Sequence, residues 1–188
     1  NPDRLAVAEV GGRTLKAGEL AAEANRLTHA LRKLGLQPGD AVATCLPNGV
    51  EMIEAYLAAF QAGFYLVPIN HHLVASEIAY ILSDSEAKAF LGHEHFADAC
   101  RAAAEEAGVP ASGRLSVGKI AGFTPLADAM AGCSSELPEN RTAGQVMNYT
   151  SGTTGRPKGV RRTLPPADPD LMGSLYALFL TMFGIQGE

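Results

Sequence analysis

The stretch that decides the fold lies at residues 41–69 and reads AVATCLPNGVEMIEAYLAAFQAGFYLVPI. Its first six residues, 41–46, form an apolar run that is typical of a buried strand. Asn48 then has the position of a helix cap, Gly63 ends the helix that follows, and the apolar run over 64–69 predicts a second strand. The residues predicted to line the buried face of this helix are Val50, Ile53, Leu57 and Phe60. Two apolar strands joined by a helix predict parallel pairing.

The same alternation of strands and helices continues on both sides of this unit. Apolar residues at spacings of three and four predict an amphipathic helix that ends at Gly35; they are Leu20, Ala24, Leu27, Leu31 and Leu34. The remaining predicted elements are a hairpin around Gly11-Gly12, a short helix at 78–82, a strand at 87–91, a helix at 94–107, a strand at 115–117, a loop-rich connection over 118–144 and a strand at 145–149. This order predicts an α/β fold, with a largely parallel sheet and helices on both faces.

The composition excludes several classes of protein. Of the 188 residues, 47% are hydrophobic and 19% are charged, which is typical of a globular chain and excludes a disordered, collagen-like or coiled-coil one. The net charge of −5 argues against general nucleic-acid binding, which needs a basic surface.

The cysteines and the apolar runs indicate the cellular compartment in which the protein is expected. The three cysteines are too scattered for a disulfide framework, and Cys45 lies in an apolar run, so we expect a buried thiol in a reducing cytoplasm. No signal peptide is visible. The apolar stretch 171–185 is shorter than the ~20 residues that span a bilayer, and it predicts a buried helix instead. Since a helix that is apolar nearly all round needs covering, and the first residue is Asn1, we expect a fragment of a longer protein.

The chemically informative stretch is residues 149–160, YTSGTTGRPKGV, which follows a predicted strand. Its glycines let backbone N–H groups approach an anion. Its hydroxyls add donors around phosphate oxygens or bind Mg²⁺, and Lys158 supplies a positive charge. The segment 156–162 holds four of the 15 Lys and Arg and no acid, although the chain has 20 Asp and Glu. This local charge favours a specific polyanion.

The stretch is not a Walker A loop, because the second glycine of that motif would fall at Pro157, which also lacks an N–H. Gly159, Val160 and Thr163 do not open an obvious helix either. The sequence therefore predicts a loop that joins two extended segments and grips phosphate as a flap.

Residues 150–159, TSGTTGRPKG, resemble the phosphate-binding signature of the adenylate-forming superfamily, which includes acyl-CoA synthetases, peptide-synthetase adenylation domains and beetle luciferases. The upstream segments that resemble the same family, in the same order, are Arg13-Thr14-Leu15, 31–36, 38–40, 46–48, Gly63, 67–70 and 77–82. The resemblance covers essentially the whole chain. It identifies 1–188 as an N-terminal portion of the AMP-binding domain of such an enzyme, with the C-terminal domain absent.

The resemblance implies an acid–thiol ligase that uses ATP, Mg²⁺ and, as co-substrate, coenzyme A. A carboxylate, with a fatty acid favoured, forms an acyl-adenylate that a thiol then converts to a thioester. By the same resemblance, the β- and γ-phosphates of ATP contact Thr150, Ser151, Gly152, Thr153, Thr154, Gly155 and Lys158. Thr150 is the candidate hydroxyl ligand of Mg²⁺. The adenine contacts, the acidic Mg²⁺ ligand and the catalytic lysine of the family lie in later segments, so no catalytic residue is assigned and the fragment alone is expected to be inactive.

Departures and alternatives remain. Lys16 and Val74 stand where the family often has a Ser or Thr helix cap, and 161–168 carry an unusual twin Arg and twin Pro. The protein is alternatively an adenylation domain that loads a carrier protein, or a stand-alone non-catalytic module, and a homo-oligomer is compatible with each. We interpret the histidines at 71–72 as a solvated turn, and His93 and His95 as a surface pair in preference to metal ligands. Four aromatic residues are assigned to packing: Tyr56, Phe60, Tyr65 and Tyr80.

Overall fold

The computed structural model of the protein describes residues 1–150 and 156–184. Along the chain the strands and helices are β1 (Leu5–Ala8), β2 (Thr14–Lys16), α1 (Ala17–Lys33), β3 (Ala41–Cys45), α2 (Val50–Ala62), β4 (Tyr65–Pro68), α3 (Ala75–Asp84), β5 (Ala87–His93), α4 (Ala97–Glu106), β6 (Arg114–Val117), β7 (Thr124–Pro125), α5 (Leu126–Met130), β8 (Gln145–Val146), β9 (Tyr149–Thr150), β10 (Lys158–Gly159) and α6 (Pro169–Met182). Short 3-10 turns precede α4 and β6.

The main sheet has six strands in the order β7-β6-β5-β3-β4-β8, and every neighbouring pair is parallel. β3 lies between β4 and β5, and the chain crosses it from one side to the other through α3. The predicted α/β fold with a parallel sheet is therefore confirmed. Two further strand pairs, β1–β2 and β9–β10, are antiparallel and lie outside the main sheet.

Helices cover both faces of the main sheet, as the sequence predicts. Successive side chains of a strand point to opposite faces. Accordingly, Val42 packs with residues of α1, α2 and α5, whereas Ala43 packs with residues of α3 and α4. Phe64 and Phe90, one in each cluster, are the largest of the fully buried side chains in the described residues.

The helix α2 differs from its prediction in two ways. Ile53, Leu57 and Phe60 lie at least partly exposed, and only Val50 of the predicted buried face is fully buried. Small side chains fill that face, because α2 packs closely on α1 and the sheet: the buried residues are Val50, Glu54, Ala55, Ala58, Ala59, Gln61 and Ala62.

The caps of three helices also depart from simple expectation. The helix α2 begins after Gly49 and not Asn48, and the Glu9 carboxylate accepts the hydrogen bond from the Val50 N–H at 2.7 Å. At Lys16 and Val74, where a Ser or Thr cap is missing, glutamates three residues later accept from the backbone N–H groups, at 2.8 and 3.0 Å. This reciprocal half of a capping box offsets part of the missing cap.

Residues 145–149 do not form one strand. β8 ends at Val146, and the chain leaves the main sheet before Tyr149 pairs with β10. The last backbone bond to β4 is donated by Met147 N–H to Leu66 O, at 2.8 Å.

The apolar helix α6 is not buried in this chain, contrary to prediction. Asp168 caps it by accepting from Asp170 N–H and Leu171 N–H, and Arg141 anchors its first turn through a bidentate ion pair with Asp170. Beyond that turn its large apolar side chains are exposed, with exposed fractions from 45% at Leu180 to 77% at Met182, although Tyr176 contacts the ring of Phe60. Within the described ranges, no helix is long and apolar enough to cross a membrane.

Candidate functional site

The segment predicted to bind phosphate begins and ends in the short β9–β10 ladder. Thr150 is the register partner of Lys158, and Tyr149 is the partner of Gly159. Directly opposite residues of an antiparallel pair point to the same face. The side chains of Thr150 and Lys158 therefore point to the same face of the ladder, and both residues are exposed. The prediction that this segment joins two extended strands and opens no helix is confirmed.

The other five predicted phosphate contacts belong to the segment between β9 and β10. Ser151, Gly152, Thr153, Thr154 and Gly155 lie outside the described residues. Of the predicted set, Thr150 and Lys158 are the two that the structure brings together.

Two side chains of α3 hold the ends of this segment. The Tyr149 hydroxyl donates a hydrogen bond to Asp84 Oδ2 at 2.6 Å. The Tyr80 hydroxyl donates to the Pro157 carbonyl oxygen at 3.0 Å, and the Arg156 guanidinium lies 5.2 Å from the centre of the Tyr80 ring. Both tyrosine rings also pack against the core cluster on this face of the sheet. The ladder is thus attached to the fold on each side.

Burial raises the pKa of Tyr149 above its usual range, and the hydrogen bond and negative charge of Asp84 raise it further. The phenol therefore keeps its proton and remains a donor to the carboxylate. A short bond from a hydroxyl to an ionised carboxylate is among the stronger hydrogen bonds in proteins.

The twin arginines that follow β10 have separate environments. Arg161 lies 4.7 Å from the centre of the Tyr65 ring, donates to Gly39 O at 2.7 Å and lies 3.8 Å from a Glu86 carboxylate oxygen. The Arg162 backbone oxygen accepts from the Tyr65 hydroxyl at 2.5 Å. Arg161 is therefore tied to the fold, and Arg162 is fixed through its backbone.

A cavity of about 380 Å³ lies next to Thr150, between β8, α2 and α6. Its polar wall is formed by Gln145, Asn148, Thr150 and Arg162, and aromatic residues of the two helices form much of the opposite wall. Among the described residues, no carboxylate lines it, and neither Lys158 nor Arg162 has an ion-pair partner. Positive charge without a neighbouring acid suits an anionic ligand.

Three histidines lie around one aromatic ring, that of Phe96; they are His71, His93 and His95. His71 stacks on Phe96 at 4.6 Å between ring centres, and His93 and His95 lie near the same ring. In the part of the chain that the structure describes, no group of three or more side chains is arranged to hold a metal ion. Cys45 is buried and free, as predicted.

Sequence reasoning did not foresee the contribution of α3. The sequence predicts a packing role for Tyr80, and its ring does pack, but its hydroxyl also binds the backbone next to the candidate site. No sequence pattern marks Asp84. The spacing of Tyr80 and Asp84 places them on one helix face, yet their partners lie 77 and 65 residues further along the chain.

Comparison with known proteins supports the α/β fold and the family resemblance of the segment 149–160. A family profile described as AMP-binding enzyme matches residues 1–164. The Long-chain-fatty-acid--CoA ligase FadD13 of Mycobacterium tuberculosis is 36% identical over 151 residues, which cover 77% of this chain and 29% of that protein. Surfactin synthase subunit 3 of Bacillus subtilis is 31% identical over 159 residues, or 85% of this chain and 12% of that protein.

The crystal structure of apo MatB from Rhodopseudomonas palustris superposes with a TM-score of 0.70 at 31% identity, over 95% of this chain and 34% of that one. The chain spans less than a third of the length of the two curated relatives named above. Because the family profile extends from residue 1 through β10 and the same fold recurs in a solved relative, the chain belongs to the AMP-binding enzyme family.

Proposed function

We propose that this chain forms the N-terminal part of an ATP-dependent carboxylate–CoA ligase and grips the β- and γ-phosphates of ATP. The observation that carries the proposal is the pairing of Thr150 with Lys158 across a ladder whose connecting segment is rich in glycine and hydroxyls. The proposed contacts are Thr150, Ser151, Gly152, Thr153, Thr154, Gly155 and Lys158.

In the proposed reaction, a carboxylate oxygen attacks the α-phosphorus of ATP and the bond to the β-phosphate oxygen breaks. Pyrophosphate leaves with the negative charge that this cleavage adds. Lys158 and nearby donors stabilise that charge, because groups that are already in place need no reorganisation during the reaction. The thiol of coenzyme A then attacks the acyl carbon, loses its proton, and AMP leaves.

Mg²⁺ neutralises phosphate charge when it is bound. It retains several waters and needs few protein ligands. At the ladder the Thr150 hydroxyl fits such a role as one ligand. Asp84, whose carboxylate contacts the ladder, accepts the hydrogen bond from Tyr149. We therefore propose Thr150 as the hydroxyl ligand, with no carboxylate ligand assigned among the described residues.

A fatty acid is the favoured substrate, supported by the similarity to a protein named as a long-chain fatty-acid ligase. A second candidate function, loading of a carrier-protein thiol, is supported by the similarity to surfactin synthase subunit 3. We also infer that the 188 residues are inactive alone, since they span less than a third of these relatives and supply no assigned catalytic residue. The half-exposed face of α6 would pack on further protein. A cytoplasmic location stays a prediction.

The test is carboxylate-dependent ATP–pyrophosphate exchange by the full-length protein, with fatty and aromatic acids as substrates. Lys158→Ala is expected to lower the exchange rate at least about tenfold, since loss of one charge-stabilising donor has that order of effect. Lys158→Arg should retain more activity, and Lys119→Ala, a change at a remote exposed lysine, should have no effect. An unchanged rate for Lys158→Ala would overturn the proposed phosphate grip.

Two further measurements separate the alternatives. Thioester formation with coenzyme A supports the ligase, whereas transfer only to a carrier-protein thiol supports the second function. Exchange activity in the purified 188-residue chain would contradict the inference that it is inactive alone.

A further inference from the structure

The β9–β10 ladder is too short to hold its own position. It contains two residue pairs, and even a complete two-stranded hairpin is marginally stable in water. Its placement therefore depends on contacts with the rest of the fold. On the α3 side, those contacts come from the adjacent side chains of Tyr80 and Asp84.

We propose that Tyr80 and Asp84 are positioning residues that fix the ladder on α3 and thereby set where Thr150 and Lys158 meet the phosphates of ATP. This inference rests on the proposed function of the ladder. It adds two residues from a helix that itself bears none of the proposed phosphate contacts.

Asp84 acts on the strand that enters the site. Its Oδ2 accepts the 2.6 Å hydrogen bond from Tyr149, whose next residue is Thr150. Its Oδ1 lies 3.5 Å from the Tyr80 hydroxyl, so one carboxylate faces both tyrosines. The Tyr149 ring also packs against the core cluster. The hydrogen bond from its hydroxyl to Asp84 therefore restricts the motion that ring packing alone still allows.

Tyr80 acts on the strand that leaves the site. Its hydroxyl binds the carbonyl of Pro157, the residue before Lys158, and its ring lies beneath the Arg156 guanidinium. The two anchors therefore contact the residues directly before Thr150 and directly before Lys158. Moving either strand by an ångström would misplace a phosphate contact, which is costly for a preorganised site.

The experiment measures KM for MgATP and kcat in the exchange reaction of the full-length protein, together with its melting temperature. Tyr149→Phe and Tyr80→Phe remove one hydroxyl each and keep the rings in the core. We expect KM to rise about tenfold for Tyr149→Phe, which loses a bond to a charged group, and about threefold for Tyr80→Phe. Because Lys158 is also proposed to stabilise the leaving pyrophosphate, kcat should fall in the same order.

Asp84→Ala should match Tyr149→Phe, and the double variant should be no worse than either single one, because all three lose the same bond. Asp98→Asn, at a fully exposed aspartate of α4, is the matched control and should leave both constants unchanged.

The outcomes separate this inference from the function on which it rests. If Lys158→Ala lowers exchange while Tyr149→Phe and Asp84→Ala leave KM within twofold, the positioning role is wrong and the phosphate grip stands. If the α3 variants lower only the melting temperature and leave KM and kcat within twofold, their role is only structural and the inference is overturned. If Lys158→Ala has no effect, the proposed function fails and the positioning role fails with it.

Discussion

Replacing Glu54 by glutamine is expected to stabilise the protein increasingly as the pH rises from about 5 to about 8. Glu54 lies on α2 and is only 3% exposed. Arg13 Nη2 approaches its Oε1 to 3.7 Å, which is too far for a hydrogen bond, and within the described residues that oxygen has no hydrogen-bond partner. Burial therefore outweighs the attraction of Arg13 and raises the pKa of Glu54 to about 7.

The sign and size of the effect follow from this shift. A carboxyl group whose pKa rises on folding favours the native state while it is protonated, and that stability is lost as the pH rises through the folded value. From a usual value of 4.5 to about 7, the shift corresponds to about 3 kcal/mol at full ionisation. Between about pH 5 and about pH 8, some 2 kcal/mol of this appears, or about 4–8 °C in melting temperature.

The assay compares thermal unfolding of the wild type, Glu54→Gln and Glu106→Gln across that pH range. Glu106 is an exposed carboxylate of α4 and controls for the loss of one negative charge. Glutamine keeps the shape of the protonated acid, so the gap between Glu54→Gln and the wild type should widen with pH, while Glu106→Gln should run parallel to the wild type. A gap for Glu54→Gln that stays constant or narrows would refute the argument that Glu54 is buried without compensation.

Two further predictions concern a close backbone approach at Gly144 and the cap of α6 at Asp168. Gly144→Ala should destabilise the protein by about 3 kcal/mol in urea unfolding, because the new methyl group would fall against the carbonyl oxygens of Ala59 and Phe64. Gly173→Ala is its control, since its methyl group meets no atom within 4 Å and should be neutral or stabilise α6; equal effects would contradict the steric argument. Asp168→Ala should cost about 1 kcal/mol by removing the acceptor that caps α6, and Asp168→Asn should restore most of it; no loss for alanine would show that this cap does not stabilise the helix.

The sequence predicts an element well when the order of apolar and polar residues within that element identifies its buried face. The leucine stripe of α1 and the apolar run of β3 each indicate a buried face without knowledge of the partner. The predicted buried face of α2 was wrong, because the elements that α2 packs against decide which of its faces is buried. Close packing on α1 and the sheet selects the alanine face and leaves Ile53 outside. Its cap comes from Glu9, which is 41 residues away along the chain.

The candidate site divides in the same way. The hydroxyls, glycines and Lys158 are visible in the sequence because phosphate binding requires those groups on one contiguous segment. Asp84 and Tyr80 contribute ordinary side chains, whose importance depends only on where α3 meets the ladder. Residues that contact the substrate form a motif that can be recognised in the sequence. The residues that hold such a motif in place are scattered along the chain and form no pattern of their own. Experiments can therefore separate the phosphate-binding segment from the residues that anchor it. A change at Lys158 should remove the positive charge that faces the phosphates of ATP. A change at Asp84 should leave that charge in place and alter its position.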